Sequence, residues 1–566
     1  MLSDQNERLL ARIIAVGSGF TTIFVISGAV TDPVNVTKFL SLGITASVIL
    51  GILGLSGFFG IVKSRLIAWI SAGFFLTSAL LSVFASSSPL SQNIYGAYGR
   101  NNGFLTYFFL AIMFVAAASL KSLSSLDLII KWLLVAGIVN VAYCLWVIVF
   151  GDFIGWSNPY GNILGTLGNP NFIGSFLGIF IAAYLGYSLG KNSPKWFKYS
   201  AVVVIPITAF EIVDSNAIQG RVVGLAGFAI VGFFFFRSKT NRLVTGLYTA
   251  GVSILGTFAV LGALQIGPLT SLVYKTSVSL RGQYWLAGWN TGEGHPITGV
   301  GMDSFGDWYR RERDLRAIEL PGVNTVVNAA HNVPLDMFAF GGWPLFLSYL
   351  AILCVGGWSL IKSIVRVKRY EPVLVVLTTS WLGYQVQSLI SINQIGLAIW
   401  GWVLTGCLIA YERIARFDGI EPKTEPKLIA RKSRAQGGYE PRIVLSGTLF
   451  GLTGLLLALP PIASDSKWRA AQVSGQVEKI VSSMQTSYMN PVNSTKYLTT
   501  IQLFEQNQFF DLAHKYSLEA VSWNSESFEL WKVLYLIKNS TPEEKSLALL
   551  NMKRLDPLNK DVTSVS

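Results

Sequence analysis

Apolar runs of about twenty residues recur from the N-terminus to about residue 462, and short polar breaks separate them. A run of this length crosses the hydrocarbon core of a membrane as one helix. No small-residue cleavage site follows the first run, so we expect that helix to be retained. The pattern predicts an all-α polytopic membrane protein of about 13 transmembrane helices, near residues 11–30, 39–60, 66–86, 104–120, 132–150, 171–189, 199–213, 221–236, 243–263, 334–361, 372–390, 394–411 and 443–462.

Basic residues are concentrated in alternate connections between the predicted helices, such as "KSIVRVKRY" and "RKSRAQGGYEPR". Such connections face the cytoplasm, so the N-terminus is predicted inside, and an odd number of spans places the C-terminus outside. Three connections without this basic excess then face outward: "SQNIYGAYGRNNG", "GDFIGWSNPYGNILGTLGNPN" and the long segment 264–333. Long loops on a rigid scaffold often carry function, so we expect the chemistry on this face.

The chain after the last apolar run has a different character. Residues 463–566 are polar and contain helical patterns such as "YLTTIQLFEQNQFFDLAHKYSLEAV", followed by "ALLNMKRLDPLN". Paired helices with an alanine at the contact and a "DP" break resemble tetratricopeptide-type hairpins. We therefore predict a transmembrane domain over 1–462, with 264–333 as its large extracytoplasmic loop, and an extracytoplasmic, TPR-like helical tail over 463–566.

The composition of the chain excludes several classes of protein and of functional site. Hydrophobic residues make up 51% of the chain and charged residues 13%, whereas a soluble protein has about 25% charged residues. The net charge of +13 resides mainly in short loops and does not indicate nucleic-acid binding. The sequence lacks HExxH, GxxxxGK[ST], GxSxG and any His/Cys metal spacing, so we expect neither a metal nor another cofactor. Acidic residues in "MDSFGDWYRRERD" alternate with arginines and predict an ion-paired surface helix.

Three arginines lie on the predicted outer face. Arg100 ends "YGAYGR", Arg221 opens an apolar span, and Arg281 begins an amphipathic stretch in the large loop. A solvated loop position for Arg100 and a snorkelling position for Arg221 are the simplest readings, yet an arginine entering a bilayer is costly and tends to be functional. Together the three suit a ligand with two phosphates, because guanidinium groups pair bidentately with phosphate.

Only three histidines occur in the chain, at 295, 331 and 514. His331 and Asn332 are predicted at the cap of the helix that begins near residue 333, facing the outer vestibule. A neutral histidine there can accept a proton from a hydroxyl group, or it can simply cap the helix. His295, in "GHPITGVGMDSF", is flanked by a proline and glycines and predicts a turn.

Several of these segments together resemble the O-antigen ligase and Wzy-type polymerase superfamily. The resemblance covers roughly residues 90–410 and is strongest over "SLRGQYWLAGWNTGEGHPITGVGMDSFGDWY" and "AAHNVPLDMFAFGGWPLFLSYL". "YGRNNGFLTYF" and "GTLGNPNFIGSFL" are similar to further segments of its ligase and protein-glycosylating branches. In many members "SRG" opens the span that bears the second arginine, where this chain has "NAIQGR", with the serine displaced to Ser215.

The resemblance implies a metal-independent glycosyltransferase with a GT-C-like fold in the cytoplasmic (inner) membrane. Such an enzyme moves a glycan from an undecaprenyl-pyrophosphate donor to a hydroxyl group of a lipid core, a cell-wall polymer or a protein, with inversion at the anomeric carbon. It implies His331 as general base and Arg281 and Arg221 as the groups that hold the pyrophosphate. The implied substrate-binding residues are Arg100, Asn332, Tyr284, Trp285 and His295.

Other functions remain open at this point. A polymerase of the same superfamily would use the same residues. A transporter would need polar residues spread through its spans, whereas here the ionisable residues are concentrated near the outer face. A scaffold that uses the tail for docking would not need the arginines and His331. We expect no nucleic-acid partner. Besides the glycan donor and the acceptor, the expected partners are the lipids of the surrounding membrane.

Overall fold

The computed structural model describes residues 3–56, 60, 62–63, 65–417 and 439–565. Regular secondary structure in these residues is helical, apart from one isolated bridge between Ser487 and Asn490. The basic connection at residues 431–438 and the part of the second predicted span at 57–59 lie outside the described residues. The prediction of an all-α protein is confirmed.

Each predicted span coincides largely with one helix. Ten helices of the described chain are long and apolar enough to cross a membrane, and Phe104–Ala118 is a shorter apolar helix. The multi-pass prediction is therefore confirmed, while the number of crossings stays a prediction. The helices are α1 (Asp4–Ile23), α2 (Asn35–Leu55), α3 (Leu66–Ala85), α4 (Phe104–Ala118), α5 (Leu123–Phe150), α6 (Pro170–Ser188), α7 (Lys195–Asp214), α8 (Ile218–Lys239), α9 (Arg242–Ala263), then after the large loop α12 (Val333–Arg366), α13 (Pro372–Ser388), α14 (Ile395–Phe417) and α15 (Pro441–Ser474).

The first helix ends earlier than the apolar run predicts, at Ile23 and not near residue 30. Lys38 of α2 explains the stop. Its side chain is fully buried, and Nζ donates hydrogen bonds to the carbonyl groups of Thr21, Thr22 and Phe24 at 3.2, 2.6 and 3.3 Å. The ammonium group satisfies carbonyl groups that the end of a helix leaves without a partner.

The two longest helices of the large loop are α10 (Thr276–Gly294) and α11 (Phe305–Glu312), and α10 packs on α12. Helix α12 is kinked at Gly341 and Gly342, and Gly342 has φ of 61°. The backbone of the turn after α10 fits into this kink: the amides of Val300 and Gly301 donate to the carbonyl groups of α12 residues at 3.0 and 3.1 Å. A Cβ on Gly342 would lie 2.3 Å from the carbonyl oxygen of Pro296, so only glycine permits this contact.

The tail forms its own hydrophobic core from α16 (Val477–Met484), α17 (Ser494–Gln506), α18 (Phe510–Trp523), α19 (Phe528–Leu536) and α20 (Pro542–Leu555). Successive helices α17 to α20 pack against one another, as helical hairpins do. Helix α15 runs without interruption from the membrane domain to Ser474, past the predicted boundary at residue 462. The TPR-like character of the tail stays a prediction.

The tail covers α11, and this corrects the prediction of a surface helix. Arg310 and Arg313 are 4% and 3% exposed, and both pair with the fully buried Asp556 of the tail at 3.0 and 2.7 Å. Arg310 also pairs with Glu529 at 2.6 Å. The alternation of charges correctly indicated ion pairs, but their acidic partners come from a segment more than two hundred residues away, which the local pattern does not reveal.

Candidate functional site

His331 lies in a backbone conformation that is rare for residues other than glycine. Its φ is 56°, in the left-handed region. Three side chains fix this turn: Asp336 accepts from the amide of Ala330 at 2.7 Å, Trp285 Nε1 reaches the carbonyl oxygen of His331 at 3.4 Å, and Asn332 Oδ1 accepts from the Leu335 amide at 3.1 Å. The helix begins at Val333 with Asn332 as its N-cap, as the sequence predicts. The surrounding side chains therefore hold the backbone at His331 in this conformation.

The ring of His331 is half-buried and lies among cations. It packs on Tyr284 of α10, with ring centroids 5.4 Å apart. Burial, reinforced by the positive charges of Arg281 and Arg100, lowers the pKa of His331 to about 4. The imidazole is therefore neutral at pH 7 and able to accept a proton. The structure thus brings together three segments that are far apart in the sequence: Arg100 in one, Arg281, Tyr284 and Trp285 in the second, and His331 in the third.

Arg100 is held in a buried cradle. Its side chain is 6% exposed, and Nη2 pairs with Asp303 at 2.8 Å. Nη1 donates to the carbonyl oxygen of Asn328, in the segment that leads to His331. Burial raises the pKa of Asp303, and the Arg100 guanidinium opposes that shift. The bland reading of Arg100 as a solvated loop residue is wrong, because the cradle removes it from solvent.

Arg281 has no such counter-ion in the part of the chain that the structure describes. It lies on α10, one helical turn before Trp285. Its Nε is buried without a hydrogen-bond partner, and burial lowers the pKa of the guanidinium. A partly buried, uncompensated cation is costly unless an anion binds to it. Arg281 and the neighbouring Arg100 therefore provide a positive site beside a neutral histidine.

The connection between α13 and α14 is a component that sequence reasoning missed. The carbonyl groups of Leu389, Ile390 and Asn393 accept hydrogen bonds from Asn332, Gln219 and Asn102 at 3.0, 3.3 and 2.7 Å. Asn332 directly follows His331 in the sequence. Gln219 lies two residues from Arg221, and Asn102 lies two residues from Arg100. One short segment thus ties together the regions around all three residues. The polar letters "SINQ" between two apolar runs are the only sequence signal of it.

Arg221 lies in the first turn of α8 and is exposed. Its Nη2 donates to the carbonyl oxygen of Val213 at 3.3 Å, and it is not among the charges that act on His331. The snorkelling reading therefore remains open for this residue. Gln219, on the same helix, donates to the carbonyl oxygen of Ile390, and Asn332 donates to that of the adjacent Leu389. The helix of Arg221 is therefore linked to the His331 turn.

His295 and Asn332 both make contacts that stabilise the local structure. The His295 ring packs on Trp308 with centroids 4.4 Å apart, and its backbone starts the turn that fits the kink in α12. Both polar ends of the Asn332 side chain are engaged, as cap and as donor to Leu389. Their proposed contacts with substrate stay predictions. Among the described residues, no group of three or more His, Cys, Asp or Glu side chains is arranged to hold a metal ion.

Comparison with known proteins identifies one domain. Residues 201–350 match the family model described as O-antigen ligase. The match includes Arg221, Arg281 and His331, whereas Arg100 lies outside it. No curated protein matches the chain. The matched segment contains the first part of the kinked helix with its kink, the turn that fits the kink, and the residues His331, Arg281, Tyr284 and Trp285. The chain is therefore a multi-pass membrane protein that contains an O-antigen ligase domain at residues 201–350.

Proposed function

We propose that this protein transfers a glycan from an undecaprenyl-pyrophosphate donor to a hydroxyl group of an acceptor. The reaction would take place at the outer face of the cytoplasmic membrane, without a metal ion. The observation that carries the proposal is the pairing of a neutral histidine with an uncompensated arginine: Arg281 lies close enough to His331 to lower its pKa. A proton acceptor beside an anion site is what a transfer from a phosphorylated leaving group requires.

His331 acts as the general base. It takes the proton of the acceptor hydroxyl, whose oxygen forms a bond to the anomeric carbon of the donor sugar. The bond from that carbon to the pyrophosphate oxygen breaks, and its electron pair leaves with the pyrophosphate. Arg281 and Arg100 stabilise the charge that grows there, with Arg221 as a further contact on the same face. Attack from the side opposite the leaving group inverts the anomeric carbon.

The low pKa of His331 implies that the donor binds before the histidine acts as a base. A ring with a pKa of about 4 is neutral but a weak base. Donor pyrophosphate bound at Arg281 and Arg100 offsets the two positive charges that lower the pKa, so the ring becomes more basic once the donor is bound. Tyr284, which packs on the ring, and Trp285, which contacts its backbone, hold the imidazole in place and line the donor site.

The test is a transfer assay with purified full-length protein, a defined undecaprenyl-pyrophosphate glycan, candidate hydroxyl acceptors and EDTA. We expect His331→Ala to abolish product formation while donor binding persists, because the base is lost and the arginines remain. His514→Ala is the matched control, since that histidine pairs with Glu544 in the tail at 2.7 Å. Normal turnover by His331→Ala would refute the proposed base. An absolute requirement for added divalent cation would refute the metal-free mechanism.

A polymerase of the same superfamily is the second candidate. It would use the same base and anion site, with a growing glycan chain as one substrate. The acceptor distinguishes the two functions: a ligase gives one addition to a lipid core, cell-wall polymer or protein, whereas a polymerase gives a ladder of products from the donor alone. The transporter alternative predicts flux of the lipid-linked glycan without glycosidic-bond formation, and the same assay would reveal it as the absence of product.

A further inference from the structure

A cavity of about 220 Å³ lies between the membrane domain and the tail. Four parts of the chain contribute to its walls: the outer loop before Arg100, the large loop, the outer end of α15 and the tail near residues 491–498 and 527–529. A water molecule takes up about 30 Å³ in the liquid, so roughly seven water molecules would fit, about the volume of a monosaccharide. The tail therefore closes a space that the membrane domain alone leaves open.

The cavity adjoins the residues that hold Arg100 in the candidate site. Asp303, which pairs with Arg100, and Asn328, whose carbonyl oxygen accepts from Arg100, both line it. Arg100 in turn acts on His331. His331 and Arg281 are not in the lining, so the cavity is a neighbouring space, separated from the His331 cluster by the Arg100 cradle.

The charges in the cavity wall are already compensated. Asp303 pairs with Arg100, Asp465 accepts from Tyr98 at 2.9 Å, and Lys496 donates to Asn490 at 2.8 Å. Each of these charged groups therefore already has an ionic or hydrogen-bonding partner within the protein. The wall presents hydroxyl, amide and carboxylate groups beside the aromatic side chains of Tyr98 and Trp468, whose rings are 6.4 Å apart. Such a surface is suited to a neutral ligand with many hydroxyl groups and apolar ring faces.

One wall residue has an unused hydrogen-bonding group. Asn101 is 4% exposed, and its Oδ1 is buried without a partner, whereas its Nδ2 donates to the carbonyl oxygen of Tyr95 at 3.3 Å. Its φ of 53° is in the left-handed region. A buried acceptor without a donor is destabilising. Because water does not reach Oδ1 in this arrangement, a ligand hydroxyl would satisfy it once the Asn101 side chain turns toward the cavity.

We propose that this cavity is a saccharide subsite, which binds a neutral sugar unit through Asn101 and the aromatic wall. The inference rests on the proposed function, because the sugar belongs to one of the two substrates of glycan transfer. The sugar is either a distal unit of the donor glycan or part of a saccharide acceptor; both have the same chemistry. The tail then has a direct part in substrate binding, as one wall of the subsite.

The test measures saccharide binding separately from transfer. The probe is the glycan released by mild acid from the lipid-linked pool of the source cells, titrated into full-length protein in nanodiscs and followed by calorimetry. We expect Asn101→Gly to weaken binding about 2- to 10-fold, the effect of one neutral hydrogen bond, and Ala97→Trp, which fills the cavity, to weaken it more than tenfold. Asn216→Gly is the matched control, since Asn216 has the same φ of 53° and lies outside the cavity.

The outcomes are distinct. No binding to the wild-type protein, or equal binding to wild type, Asn101→Gly and Ala97→Trp, would overturn the subsite, provided that the variants keep the wild-type melting temperature. Retained binding by His331→Ala supports it, because the subsite does not contain the base. If binding follows the expected order and no assay yields transfer, the subsite stands and the proposed function fails.

Transfer kinetics then identify the source of the sugar. A higher KM for a long donor, with an unchanged KM for a single-sugar donor, assigns the cavity to the donor glycan. A higher KM for a saccharide acceptor alone assigns it to the acceptor. Ala97→Trp kinetics identical to wild type with all substrates would also overturn the proposal.

Discussion

The charge of Arg281 should set the protonation of His331, and this prediction is testable without any substrate. Replacing Arg281 by glutamine removes one of the two cations that lower the pKa of His331. Charges act on a titrating group over about 4–6 Å, and two unit charges about 6 Å apart interact by roughly 0.7 kcal/mol at a dielectric of 80 and roughly 3 kcal/mol at 20. Burial is a larger cause of the low pKa than Arg281, so Arg281 accounts for at most about half of the drop from 6.5 to about 4, and the ratio of protonated to neutral His331 at a fixed pH should rise about 3- to 20-fold.

The scarcity of histidine makes the measurement direct. Only three histidines occur in the chain, so protein labelled with ¹³C at histidine Cε1 gives three NMR signals. His331→Gln assigns the signal of interest. In the wild-type protein, this signal should titrate near pH 4, below the usual range of histidine. In Arg281→Gln the midpoint should move upward, because a group whose charged form is less disfavoured takes up its proton at higher pH.

Arg221→Gln is the matched control, since Arg221 is not among the charges that act on His331. Its titration should coincide with that of the wild-type protein. Two results would refute the reasoning. One is a His331 midpoint near 6.5 in the wild-type protein, which would mean that burial and the arginines have no net effect. The other is an unchanged midpoint in Arg281→Gln, which would place the guanidinium too far from the ring to bind the same substrate.

Three further predictions concern stability. Asp556→Asn leaves Arg310 and Arg313 buried without their carboxylate, which should destabilise docking of the tail by about 3–5 kcal/mol and expose it to limited proteolysis; a digestion rate equal to wild type would contradict this. Asn332→Ala removes the N-cap of α12, so we expect a loss of about 0.5–2 kcal/mol, measurable as a lower melting temperature. Gly220→Val should prevent close packing of α8 on α6, because a Cβ there would lie 2.4 Å from a carbonyl oxygen; unchanged yield and melting temperature of the purified protein would disprove this.

Much of the membrane domain follows from the sequence, because hydrophobicity over about twenty residues is a local property and the bilayer requires it. The predicted span near 334–361 corresponds to the helix Val333–Arg366, and the predicted large loop ends where that helix begins. His331 and Asn332 were placed at its cap from local pattern alone. The first helix was predicted too long because Lys38, which terminates it, belongs to another helix and reaches across in space.

The sequence pattern does not predict which residues far apart in the chain pair with one another. The alternation of charges in α11 indicated ion pairs, yet Asp556 lies in the tail, and the burial of Arg310 depends on how the tail docks. The segment that holds the turns of Arg100 and His331 through Asn393 and Leu389 carries no charge and no motif, so only its position identifies it.

The sequence by itself determined that the chain is helical and multi-pass, and it singled out the residue types suited to a base and an anion site. Tertiary structure decided which of those residues meet. It placed Arg281 and Arg100 beside His331, left Arg221 exposed on a separate helix, and used the tail to close a cavity next to Asp303. The physical reason is that apolar periodicity is encoded residue by residue, whereas the pKa of a histidine and the walls of a cavity depend on charges and side chains that folding brings together from distant parts of the chain.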